Sequence, residues 1–192
     1  MHLKVYNAIL FTKLIITSQI FSYDGFDREV FATKNVKLEV KDFAADFEIP
    51  WGMAFLPDTS MLVTDLSGSL YRVYQDGNKD VIKGMPNVYY KGQGGLLDVE
   101  VHPDFSNNNY IYVSYSQPIK GKSFTAVARA KLIRNQLEDF EIIFSTEYKH
   151  YSRKTVHFGS RFAISGDYLF FSIGDRGERD EAQDLNLSLI HI

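Results

Sequence analysis

Gly95-Leu96-Leu97-Asp98-Val99-Glu100-Val101-His102-Pro103-Asp104, closed by Tyr110-Ile111-Tyr112-Val113-Ser114, is the stretch on which the fold turns. It reads as glycine, apolar strand, turn, then an aromatic and aliphatic strand ending in a hydroxyl. The phrase occurs earlier as Pro50-Trp51-Gly52-Met53-Ala54-Phe55-Leu56-Pro57-Asp58, followed by Met61-Leu62-Val63-Thr64. It occurs again as Phe158-Gly159-Ser160-Arg161-Phe162-Ala163-Ile164-Ser165-Gly166-Asp167, followed by Leu169-Phe170-Phe171-Ser172. The closing hydroxyls, Thr64, Ser114 and Ser172, lie 50 and 58 residues apart. Short runs that alternate apolar and polar residues are strands, not helices.

A repeat of this length built from short strands is the signature of propeller blades. Three unrelated hairpins of a sandwich would leave a similar trace. The glycine gives room where an inner strand approaches a crowded axis. The spacing also fills a blade. Tyr115 to Ser123 reads as a polar connection, Thr125 to Ile133 as a third strand, Asn135 to Asp139 as a turn and Glu141 to Thr146 as the outer strand. Ala126 to Ile133 has helical propensity. It is too short for a stable helix and stands where a blade needs a strand.

Composition agrees with an all-β globular chain. Of 192 residues, 45% are hydrophobic and 15% aromatic, a usage that favours strands. The 21 basic and 24 acidic residues leave a net charge of −3, so no general electrostatic case for nucleic acid exists. Cysteine is absent, which excludes a disulfide scaffold, a thiol nucleophile and any Cys-ligated metal site. Met1-His2-Leu3-Lys4 followed by the apolar stretch Val5–Phe21 has the form of a secretory signal peptide or N-terminal anchor over residues 1–22. Lys13 splits that stretch into pieces too short to span a membrane. Residues 23–37 read as a linker or first strand, and the three phrases then occupy residues 38–186.

Chemistry concentrates in three places. His157 precedes an inner strand, and Asp175 follows the strand expected to pair with it. Both therefore fall at one rim of the sheet. A carboxylate that fixes an imidazole's tautomer makes it a useful general base; the same pair also serves as a structural bond closing a hairpin. Gly92-Gln93-Gly94-Gly95 lets backbone approach a ligand or a neighbouring blade, and Gln93 offers a donor and an acceptor there. It is no phosphate cradle, because a strand follows and no Lys-Ser or Lys-Thr does. On these residues alone a flexible blade junction is the better reading. Asp175-Arg176-Gly177-Glu178-Arg179-Asp180-Glu181 has oxygens suited to calcium but lacks the EF-hand pattern. Its mixed charges read as a solvated loop. His102 reads as a turn residue, and His150 has no partner at ligand spacing. No metal-ligand set can be named.

At these residues the sequence resembles the soluble quinoprotein glucose/sorbosone dehydrogenases, above all the aldose sugar dehydrogenase branch. The resemblance is carried, in the family's order, by Ile49–Pro57, Gly92–Val99, His102–Phe105, Thr125–Arg129, His157–Arg161, Gly174–Gly177 and Ala182–Leu185. It implies a six-bladed β-propeller, of which about three blades are present here. It also implies an enzyme that uses pyrroloquinoline quinone and calcium to oxidise the C1 hydroxyl of an aldose to the lactone. By motif position His157 resembles the catalytic base, Asp175 the carboxylate that orients it, and Gln93 a glutamine that contacts the quinone. An external electron acceptor would complete the turnover.

Ser160 and Phe162 stand where the family often has Gly and Leu. The hexapeptide Leu187–Ile192 resembles nothing in the family and looks like a translated sequencing adapter. These features lead to the expectation of the N-terminal half of a periplasmic or secreted sugar dehydrogenase, without a transmembrane span. The later blades would supply the calcium ligands and cationic quinone clamps, so tight quinone binding by this half alone is not expected. A non-catalytic propeller that binds a protein or glycan, and an inactive truncated fragment, are the alternatives.

Overall fold

The computed structural model describes residues 29–32, 34, 37–40, 42–178 and 180. The expected signal or anchor segment and the tail 187–192 lie outside these residues. The chain divides after Ala45 into two compact units. In the first, β1 (Glu29–Ala32) and β2 (Lys37–Val40) form an antiparallel hairpin with Glu29 opposite Val40.

The second unit is a succession of antiparallel meanders. The first sheet runs β3 (Pro50–Phe55), β4 (Met61–Asp65), β5 (Leu70–Val73) and β6 (Lys79–Ile82). The second runs β7 (Leu96–Val101), β8 (Tyr110–Ile119), β9 (Lys122–Ile133) and β10 (Gln136–Phe144), with a single helical turn, α1 (Phe105–Asn108), between β7 and β8. The third pairs β11 (Gly159–Ser165) with β12 (Tyr168–Ile173). The inner strands β3, β7 and β11 lie side by side, β7 in the middle. This is the partial propeller that the repeat implies, with two four-stranded blades and a hairpin beginning the third.

Each blade repeats one local device. Its inner strand carries a bulge, at Pro50/Met53, Leu96/Val99 and Gly159/Phe162. A bulge takes main-chain groups out of the ladder. The closing hydroxyl of the next strand accepts the released N–H. Thr64 Oγ1 takes it from Gly52 at 2.8 Å, and Ser114 Oγ from Asp98 at 3.0 Å. Ser172 Oγ takes two, from Ser160 and Arg161, both at 3.0 Å. The recurring Thr or Ser of the sequence is thus the residue that satisfies a buried bulge.

The core lies between the first two blades, with Leu62, Leu70, Leu96, Val99, Ile111, Val113, Ala126, Ala128 and Ala130 at its centre. Blade two is covered on both faces along the first half of β9, while β10 stays largely exposed. Phe124 to Ala128 are all buried, so the alternation expected of a half-exposed strand is lost there. This ambiguous segment is a strand throughout, as its place in the blade required.

Two boundaries differ from the sequence expectation. Tyr115–Ser123 is mostly strand, because β8 pairs with β9 from Tyr110↔Lys131 to Ile119↔Lys122 around a tight turn at Lys120 and Gly121. Its polar residues have partners inside the sheet stack. Ser116 Oγ donates to Tyr89 O at 2.8 Å, and Ser123 exchanges main-chain hydrogen bonds with Ser152. Likewise β10 begins at Gln136, inside the expected turn, and Asp139 (φ +50°) sits in a bulge of that strand.

Candidate active site

The site starts from the register of the third blade. Gly159 pairs with Ile173, so residues just before β11 and just after β12 emerge together at one rim. His157 Nδ1 lies 2.6 Å from Asp175 Oδ1. The same carboxylate oxygen accepts the Gly177 N–H at 2.8 Å, a local turn that aims Asp175 at the ring. The imidazole is 44% exposed and the carboxylate 19%, so the pair is open to a ligand on the histidine side. With Nδ1 donating to the carboxylate, Nε2 keeps its lone pair and is the basic nitrogen.

Gln93 completes the arrangement from the second blade. Its Oε1 accepts the His157 N–H at 2.8 Å, while its own N–H donates to Thr155 O at 2.8 Å. The Gln93 turn is therefore docked at two points on the segment leading into β11, at Thr155 and His157. Gly92 makes this approach possible. It has φ +61°, and a Cβ there would stand 2.6 to 2.7 Å from the carbonyl and side chain of Thr155. The glycine run is therefore in close contact with the neighbouring segment at Thr155. Gly174 plays the same part across the hairpin, where a Cβ would fall 2.1 Å from His157 O. His157 itself is held at φ +51°, a left-handed conformation that costs a non-glycine residue energy and persists where surroundings dictate it.

All three expected site residues are thus brought together. Two further groups were not singled out in the sequence. Arg176, read there as part of a solvated charged run, is only 4% exposed. Burial pulls its guanidinium down to about 10, still cationic at neutral pH. Nothing in a run of alternating charges marks one arginine as the buried one. Asp98, at 3% exposure, ties the second blade to the third. Its Oδ2 accepts the Phe162 N–H at 2.9 Å and its Oδ1 meets Arg161 Nη1 at 3.2 Å. Desolvation raises its pKa against the lowering effect of the Phe162 N–H and Arg161. An aspartate inside the apolar run Leu96–Val101 was the available signal. The remaining candidates stay apart from this rim. His102 Nδ1 accepts the Asp104 N–H at 2.9 Å as a turn residue, and His150 ends a 3-10 turn. Among the described residues no three His, Asp or Glu gather as a metal-holding group, and no helix is long and apolar enough to cross a membrane.

Comparison with known proteins points the same way. The aldose sugar dehydrogenase YliI of Escherichia coli (strain K12) is 37% identical over 161 residues, covering 81% of this chain and 42% of that protein. The crystal structure of the soluble aldose sugar dehydrogenase of Escherichia coli in its apo-form superposes with a TM-score of 0.68 at 36% identity, over 74% of this chain and 42% of that one. Quinoprotein glucose dehydrogenase B of Acinetobacter calcoaceticus is 29% identical over 118 residues, covering 59% of this chain and 25% of that protein. The chain therefore spans less than half the length of these relatives. The model of the glucose/sorbosone dehydrogenase family matches residues 47–190, which include all three inner-strand bulges, the Gln93 turn and the His157–Asp175 rim; the chain belongs to that family.

Proposed function

We propose that this chain carries the proton-accepting half of an aldose dehydrogenase site. In this reading His157 Nε2 takes the proton of the sugar's C1 hydroxyl as the C1–O bond becomes a carbonyl and the lactone forms. Pyrroloquinoline quinone, when bound, supplies the two-electron acceptor for the hydride that leaves C1. An external acceptor then removes the electrons. The observation that carries the reading is the 2.6 Å His157–Asp175 contact on an exposed rim. Asp175 selects the tautomer and stabilises the imidazolium that develops. Gln93 positions the histidine through its main chain.

The residues fit a quinone in one respect. Gln93 spends its Oε1 on His157, and its Nε2 has no hydrogen-bond partner among the described residues. An exposed amide donor beside the base suits a carbonyl or carboxylate oxygen of such a cofactor. For calcium, no group of three or more His, Asp or Glu side chains stands together among the described residues. The relatives' names, which include a quinoprotein and an aldose sugar dehydrogenase, support the cofactor and substrate classes. The signal-like start of the sequence supports a periplasmic or secreted location.

The test is a chimera in which residues 47–178 replace the matching part of the Escherichia coli relative. Loaded with quinone and calcium, it should reduce a dye only when an aldose is present. His157→Asn should lower that rate by about 10²-fold or more, the usual contribution of a general base. An unchanged rate in His157→Asn overturns the reading. The chain by itself should bind the quinone only weakly, and a tight, saturable titration would overturn that part.

A further inference from the structure

Arg176 presents an unusual balance. A buried guanidinium loses its hydration and needs an anion or a full set of acceptors to offset the loss. Among the described residues Arg176 meets no carboxylate. Its donors go to carbonyls instead. Nε donates to Val156 O at 3.1 Å, Nη2 to Lys154 O, and the fork reaches Ser123 O and Oγ at 3.5 Å. Its carbon stands 3.5 Å from the centre of the Phe158 ring, a cation–π contact. Every one of these partners except Ser123 lies in the segment 154–158.

That segment has no ladder of its own until β11 begins at Gly159. It must nonetheless hold His157 at φ +51°. The main-chain N–H of Arg176 donates to His157 O at 3.2 Å, and the side chain of the preceding residue, Asp175, holds the ring. Residues 175 and 176 therefore hold both the ring and the backbone of the histidine, one through the imidazole and the other through the His157 carbonyl and the carbonyls on either side of Thr155. Lysine could place a charge over Phe158 but could not supply this planar fork.

We propose that Arg176 is a positioning residue, whose guanidinium clamps the Lys154 and Val156 carbonyls so that His157 keeps its left-handed backbone and presents Nδ1 to Asp175. This rests on the reading of His157 as the base, but its test needs neither sugar nor quinone. In nitrogen-15 NMR of the chain, a neutral His157 with Nδ1 protonated gives a distinct imidazole signature, and the His157 amide reports its bond to Gln93.

Arg176→Lys should abolish that ring signature and speed exchange of the His157 amide by about tenfold or more, while core amides such as Val113 and Ala128 keep their protection. In Arg176→Ala, added guanidinium ion should restore the ring signature, and methylammonium should not. Asp175→Asn serves as the reference for a lost ring partner. An unchanged His157 signature in both Arg176 variants overturns the proposal. So does a loss of core protection in Arg176→Lys, which would make Arg176 a determinant of the fold and not of the histidine. If the NMR outcome is as expected and the chimera is inactive, the clamp stands and the sugar dehydrogenase reading falls.

Discussion

Gln93 and His157, 64 residues apart in sequence and on different blades, are joined by a hydrogen bond of 2.8 Å from the histidine's main-chain N–H to the glutamine's Oε1. The contact leaves the imidazole free to face a ligand and ties its backbone to the neighbouring blade. Gln93→Ala should therefore loosen His157 without unfolding the chain. The expected cost is about 1 kcal/mol, that of one hydrogen bond. Faster exchange of the His157 amide, with the Ala128 amide unchanged, is the outcome to look for.

Asp175→Asn tests the carboxylate. The asparagine keeps the size and an acceptor oxygen but removes the charge that stabilises an imidazolium. In the chimera the aldose-dependent rate should fall by about 10²-fold while circular dichroism stays that of the parent. A rate within twofold of the parent would reduce the pair to a hairpin closure.

Ser114→Ala tests the bulge device. The Asp98 N–H would lose its acceptor in a fully buried position. Leaving a buried donor unpaired costs about 1–3 kcal/mol. The urea midpoint should drop accordingly, and Ser114→Thr should recover part of the loss because the hydroxyl returns.

Asp98→Asn tests the buried tie between blades. The folded-state pKa of Asp98 is raised above 3.8, chiefly by desolvation. Between the unfolded and the raised folded value the native state binds more protons, so stability falls as pH rises through that window. The parent should lose stability relative to Asp98→Asn between acid and neutral pH. Urea midpoints of both proteins measured across that range should converge on the acid side, and a constant difference would show that Asp98 titrates normally.

How much of this could be read from residues alone divides along a clear line. The inner hairpin of each blade follows from its repeated phrase, and the rim shared by His157 and Asp175 follows from the hairpin that links them, whereas the outer strands Leu70–Val73 and Lys79–Ile82 of the first blade were not read from the sequence. An antiparallel register fixes which residues emerge together, and it is set by local turns and side-chain alternation. The closing hydroxyls at 64, 114 and 172 were visible as a repeat, but their task was not, since a bulge leaves no mark in composition. The covered face of blade two blurred its strand ends for a related reason. Once both faces are buried, polar residues such as Ser116 and Ser123 can stand inside a strand if a neighbouring segment offers partners.

By itself, then, the sequence determined the blades and the local pairing of a histidine with a carboxylate. The tertiary structure alone decided that Gln93 reaches His157, that Asp98 bonds across to Phe162, and that Arg176 is buried against Phe158. Each of these depends on the distance and angle between separately formed segments. That geometry comes from how their side chains pack together, with Gly92 and Gly174 admitting the closest approaches, and no local pattern of residues specifies it.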